Sequence, residues 1–167
     1  MCVLGACDAP VADSPEAQAP IAANTVRVDV SGFAAVEGRT VALSPARVGQ
    51  DIAQALAQQL RQTADGAVIA DITLDLTSVR LTSRGAAFAF GGPSRIAGIL
   101  TAHDARTGAV MFGPTPVVGT SETLRLPGVI GVATSPSPTD DYRQTVLGFA
   151  VAVQRLLNAR SVPAIDA

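Results

Sequence analysis

The sequence contains no lysine, no tryptophan and one histidine, and its aromatic residues are five phenylalanines and one tyrosine among 167 residues. Without lysine, the chain cannot form a Schiff base, attach pyridoxal phosphate or supply the lysine of a phosphate-binding loop. Its twelve basic residues, all arginine, and fourteen acidic residues give a net charge of −2. This charge balance and the scarcity of aromatic rings argue against nucleic-acid binding, which requires basic and stacking surfaces.

Catalytic motifs are also missing, because neither G-x-S-x-G nor G-x-G-x-x-G occurs. Asp71 and Asp75 would lie ~13 Å apart along a strand, whereas glycosidase carboxylates lie ~5–9.5 Å apart. We therefore predict no enzyme activity and assign no catalytic, metal-binding or cofactor-binding residue. An alternative is a hydrolase that uses Ser94 or Ser121 with His103, which requires hydrogen-bond reach between them.

Both cysteines lie within the first seven residues, and the second follows Leu4-Gly5-Ala6. An aliphatic residue and two small residues before a cysteine suit a peptidase that cuts beside the acylated thiol. We interpret Cys7 as a lipid-attachment site for acyl chains such as palmitate. Only six residues precede it, fewer than a signal peptide needs. Two alternatives therefore stay open: an ordinary tail with two free thiols, and a Cys2–Cys7 disulfide.

Three regions are predicted along the chain. Residues 1–24 would be a lipobox remnant and a flexible tether, because their Pro, Ala, Ser and Asp content cannot bury a core. Residues 25–160 would form a single α+β domain, and residues 161–167 a loose tail. No apolar run approaches the ~20 residues that a membrane-spanning helix needs.

The folded region predicts a mainly antiparallel sheet of about four strands, with two helices packed on one face. Ser44-Pro45 is typical of a helix start, and Thr139 or Asp140 would cap the second helix. A phase change at Thr77-Ser78 indicates a β-bulge. The prolines after Gly113 indicate an interrupted edge strand. The predicted elements are strand 25–30, helix 45–63, strand 67–83, strand 95–102, turn 104–108, strand pieces 109–112 and 117–118, and helix 140–158.

Several segments are candidate contact surfaces. Arg84 and Arg95 flank a glycine-rich loop, so Arg84, Gly91, Gly92 and Arg95 could contact an anion or a partner. Phe88 and Phe90 would form either the edge of the core or an exposed contact tip. Strand 113–118 could accept a strand from another protein. Residues 124–132 could cover an apolar groove against the sheet.

The Leu4–Cys7 pattern, the order of strands and helices and the Asp104–Gly108 turn resemble small proteobacterial cell-envelope lipoproteins of unknown function. The layout is similar to auxiliary lipoproteins of envelope transport and assembly systems. This resemblance implies a non-enzymatic, lipid-anchored accessory or interaction domain in a periplasmic or membrane-associated complex. Its partner would be another envelope protein or a second copy, without nucleic acid or cofactor. The alternative is a periplasmic module that binds a lipid or a small apolar ligand. The resemblance leaves the inner and outer membrane open.

Overall fold

The computed structural model describes residues 20–38, 43–61, 68–83, 92–121 and 136–159. The predictions for Cys7, Arg84, Gly91, the Phe88/Phe90 tip and segment 124–132 lie outside these residues. The elements are β1 (Ile21–Asp29), β2 (Val36–Glu37), α1 (Pro45–Arg61), β3 (Val68–Arg80), β4 (Arg95–Asp104), β5 (Val110–Thr120) and α2 (Pro138–Ala159).

The strands form one mixed, mostly antiparallel sheet in the order β1-β3-β4-β5, and the short β2 also pairs with β3. β4 runs antiparallel to both β3 and β5. β1 and β2 instead run parallel to β3, a pairing that the sequence analysis did not predict. A parallel pair needs a crossover connection, and α1 lies in that connection. The α+β class is confirmed, with five strands in the described residues rather than about four.

Both helices pack on one face of the sheet, as predicted, α1 against β1 and α2 against β5 and β4. In α1, apolar residues recur at steps of four and are buried, with Val48, Ile52, Leu56 and Leu60 at most 1% exposed. In α2, the buried stripe ends at Leu157, whereas Leu156 is half-buried. Helix α2 therefore continues its stripe at a step of four after Val153.

The two helices begin in the same way, at a Ser-Pro pair. Ser44 Oγ accepts the backbone N–H of Arg47 at 3.3 Å. Ser137 Oγ accepts the N–H of Asp140 at 3.1 Å and donates to Asp140 Oδ2 at 2.6 Å. The predicted cap of α2, Thr139 or Asp140, was wrong, because Ser137 forms the cap two to three residues earlier through its two bonds with Asp140.

Strand boundaries bring two further corrections. β1 begins at Ile21 rather than Thr25, and Ile21 is a core residue that is 1% exposed. β5 is one continuous strand through Pro114 and Pro116, not two pieces. It pairs with β4 alone among the described strands, so prolines can point their missing N–H outward. The predicted bulge is confirmed by a register shift between Leu76 and Ser78.

β5 and α2 approach each other closely at two glycines. A Cβ atom at Gly119 would lie 2.8 Å from Phe149 N and Cβ. A Cβ atom at Gly148 would collide with the carbonyl oxygen of Thr120. Each glycine therefore accommodates the other element's backbone. Within the described ranges, no helix is both long and apolar enough to cross a bilayer.

Candidate functional site

A buried polar cluster joins the end of β3 and the start of β4 to the start of α2. Ser94 and Asp141 are both 0% exposed, and Ser94 Oγ donates to Asp141 Oδ2 at 2.7 Å. Ser94 Oγ also accepts the N–H of Thr82 at 2.8 Å. Thr145 Oγ1 donates to the carbonyl oxygen of Asp141 at 2.6 Å. These bonds hold three elements together, and the buried position of Ser94 leaves no surface for a substrate.

The hydrolase hypothesis is wrong, because the structure places its residues at opposite ends of the sheet. Ser94 precedes β4 and His103 lies near the end of that strand, so roughly 30 Å separates them at ~3.3 Å per residue. Ser121 lies at the Ser94 end, where its N–H donates to Ser94 O at 3.0 Å. The His103 ring lies beside the turn instead, with Nδ1 3.3 Å from Gly108 O.

The sheet face opposite the helices, called the open face below, carries a patch of apolar side chains. Ile99 lies opposite Pro116, and Ala97 lies opposite Val118, in the pairing of β4 with β5. Paired residues and residues two apart share a face of a strand pair, so these four side chains are neighbours. Val118 is 56% exposed and Ile99 is 36% exposed. We call these four residues the open-face patch.

Charged residues lie on the same face as the open-face patch. Arg95 is exposed and lies opposite Arg80, whose Nη2 is 2.9 Å from Glu37 Oε2. Toward the other end of the face, Asp71 accepts hydrogen bonds from Thr25 Oγ1 at 2.6 Å and from Asn24 Nδ2 at 2.9 Å. These two bonds lower the pKa of the Asp71 carboxyl below its usual value. The acid is therefore held ionised on this face.

The predicted anion site is only partly described. Gly92 has a positive φ of 94° and open space around its Cα, and its carbonyl oxygen accepts a bond from Thr82 Oγ1 at 3.2 Å. Arg95 lies on the open face one residue beyond Ser94. Arg84 and Gly91 lie outside the described residues, so the four-residue site stays a prediction.

A groove of about 630 Å³ lies between α1 and α2, and we call it the helix groove. The two helices run in the same direction, because Asp51 contacts Tyr142 and Gln59 contacts Gln154. The groove opens along their amino-terminal halves. Its lining residues are Leu43, Arg47, Asp51, Gln54, Ala55, Gln58, Thr139, Tyr142, Arg143, Val146 and Leu147.

The floor of the helix groove holds a connected set of polar groups. Arg47 Nε lies 2.9 Å from Asp51 Oδ1, and the Tyr142 hydroxyl donates to Asp51 Oδ2 at 3.3 Å. Burial raises the pKa of the Tyr142 phenol, and the adjacent Asp51 carboxylate raises it further. Tyr142 therefore remains a hydrogen-bond donor to Asp51 at neutral pH. In the described ranges, no group of three His, Cys, Asp or Glu side chains could hold a metal ion.

Comparisons with known proteins found no matching family model and no matching curated protein. Solved structures with a distantly similar fold include two of particular coverage. One is a candidate lipoprotein from Caulobacter crescentus, with 16% identity and a TM-score of 0.39 over 81% of this chain and 89% of that chain. The other is an uncharacterized protein with 12% identity and a TM-score of 0.38, covering 87% of this chain and 96% of that chain. Similarity this weak says nothing about what the chain binds.

Sequence reasoning missed both the Ser94–Asp141 bond and the helix groove. Ser94 and Asp141 are 47 residues apart, and nothing in the sequence near either residue indicates the other. Leu147 carried a weak signal, because it is an apolar residue on the polar side of α2, four residues after Arg143.

Proposed function

We propose that this is a non-enzymatic, lipid-anchored envelope protein whose domain serves as an accessory interaction domain in a periplasmic or membrane-associated complex. The Leu4-Gly5-Ala6-Cys7 pattern supports the anchor. Thirteen residues separate Cys7 from Ile21, the first residue of β1, which leaves room between an anchored cysteine and the domain.

Replacement of Cys7 by alanine should abolish lipid attachment, because the thiol is the acylation handle. The measurement is incorporation of a clickable fatty acid and membrane fractionation, with the gene expressed from its native upstream codons. Replacement of Cys2 by alanine is the matched control and should leave labelling unchanged. An unlabelled, soluble wild-type protein would contradict the anchor.

The open-face patch is the observation that carries the interaction role. Val118 and Ile99 are large apolar side chains beside each other on a sheet face that α1 and α2 leave uncovered. Interface cores gain most of their affinity from a few such side chains surrounded by polar groups. Asp75 lies opposite Ile99, and Arg95 lies two residues before Ala97 on the same face, so both supply polar groups beside this patch.

The open face is a better candidate for partner binding than the β5 edge of the sheet. A strand that adds to β5 would need outward N–H donors along that edge. Pro114 and Pro116 have no N–H to offer, so two consecutive outward positions cannot donate. We therefore place the partner on the open face and not on strand 113–118, where the sequence analysis first put it.

A double Ile99→Asp/Val118→Asp variant should lose its partner, because two charges would then have to be desolvated in the contact. We expect at least a hundredfold weaker association, as for truncation of interface anchors. Native electrophoresis of gently solubilised membranes should show wild type in a complex larger than the monomer, and the double variant as a monomer.

Leu147→Asp is the control for this experiment, since Leu147 is 59% exposed but lies on the helix side of the domain. It should migrate with wild type. The proposal fails if wild type is itself a monomer, or if the double variant keeps the complex.

A further inference from the structure

The helix groove combines an apolar surface with Arg143, a cation that forms no ion pair within the part of the chain that the structure describes. Tyr142 and Val146 form its floor and are 4% and 6% exposed, respectively. Leu147 stands on the rim with 59% of its surface exposed, and the half-buried Leu43 and Ala55 face it from the α1 side. An apolar chain lying here would cover Leu147 and the edges of the floor.

The charges in the groove are unevenly matched. Asp51 is neutralised by Arg47 at 2.9 Å and also accepts the Tyr142 hydroxyl. Arg143 is exposed, and within the described residues it makes no ion pair. The nearest acid in sequence on the same side of the helix, Asp140, is turned back to Ser137 Oγ at 2.6 Å. One guanidinium therefore remains available for an anion.

The dimensions favour a small ligand over a protein helix. The groove volume of about 630 Å³ lies within the ~300–1,000 Å³ of small-molecule sites. α1 and α2 are joined across it by the Tyr142–Asp51 bond and by the bond from Gln59 Nε2 to Gln154 Oε1 at 2.8 Å. Helices held this closely leave no slot of helix width, which is ~10 Å.

We propose that the helix groove binds a fatty acid, with its carboxylate on Arg143 and its acyl chain along Leu43, Ala55, Val146 and Leu147. A guanidinium can hold a carboxylate through two parallel N–H···O bonds, which sets the position of the headgroup. The chain then follows the apolar rim and floor. This site lies on the helix side of the sheet and is independent of a partner on the open face.

The test is calorimetric titration of the full 167-residue chain with dodecanoate below its micelle concentration. We expect saturable binding with one ligand per chain. Arg143→Gln should weaken it about tenfold, the usual value of a charged hydrogen bond. Leu147→Gln should weaken it about fivefold through lost apolar contact. Both side chains are exposed, so both variants should keep the wild-type thermal midpoint.

Changes to the ligand distinguish a specific fatty-acid site from non-specific hydrophobic binding. Full burial of one methylene corresponds to about fourfold in affinity, and an open groove covers about half of the chain. Decanoate should therefore bind about fourfold more weakly than dodecanoate, and dodecylamine should not bind saturably. Arg155→Gln, on α2 but outside the groove, is the control and should bind like wild type.

Three results would overturn the fatty-acid site. These are the absence of saturable dodecanoate binding, equal binding of dodecanoate and dodecylamine, and unchanged binding in both Arg143→Gln and Leu147→Gln. None of them bears on the open face, because native electrophoresis of the Ile99→Asp/Val118→Asp variant tests that surface separately.

Discussion

Replacement of Gly119 by alanine is expected to lower the free energy of unfolding by about 3 kcal/mol, the upper end of the usual cost of overpacking. The new Cβ would lie 2.8 Å from the backbone N and from the Cβ of Phe149, a residue in the middle of α2. Phe149 is 0% exposed, so the helix cannot simply move aside. α2 would have to lift from β5 and open the core. Urea denaturation followed by circular dichroism measures the change.

Gly32→Ala is the matched control for this prediction. The nearest atom to a Cβ at Gly32 is Leu76 O at 3.7 Å, an ordinary contact, and its φ is not positive. Its free energy of unfolding should stay within about 0.5 kcal/mol of wild type, as is usual for a surface change. If Gly119→Ala were no less stable than Gly32→Ala, the close approach of β5 and α2 would be wrong.

Removal of the buried carboxylate by Asp141→Ala should also cost about 3 kcal/mol. Ser94 Oγ would lose its acceptor in a site that is 0% exposed, and a buried donor left without its partner costs about 1–3 kcal/mol. The adjacent Asp140 is exposed and acts only in the helix cap, so Asp140→Ala should cost about 1 kcal/mol.

A double-mutant cycle tests whether Asp141 stabilises the fold through its bond with Ser94. Ser94→Ala and Asp141→Ala should be non-additive by at least about 1 kcal/mol, because the two side chains bond directly at 2.7 Å. Additive losses would mean that each residue stabilises the fold without the other. Equal losses for Asp140→Ala and Asp141→Ala would contradict the burial of Asp141.

The sequence predicted those parts of the fold that depend on periodicity. The alternation in β3 and the phase change at Thr77-Ser78 located both the strand and its bulge, because side chains on a strand repeat every two residues. The steps of four from Val48 to Leu60 placed α1. The same logic failed at Pro114 and Pro116, since a proline ends a central strand but not an edge strand, and edge position is decided by the whole sheet.

The parts that the sequence did not predict depend on contacts between distant residues. The parallel pairing of β1 with β3 places Ile21 beside Val68. This pairing depends on α1, which carries the chain back to the end of the sheet where β1 begins. The bond between Ser94 and Asp141 spans 47 residues. The helix groove exists because two helices lie side by side, and the sequence indicates only which face of each helix is apolar.

The direction of β1 gives the domain two distinct ends. Ile21 begins β1 beside Val68 and the Asp104–Gly108 turn, whereas both helices begin near the other end, where Ser94 meets Asp141. A tether from Cys7 would therefore enter the domain at its turn end, and Arg95 and the amino-terminal ends of both helices lie at the opposite end.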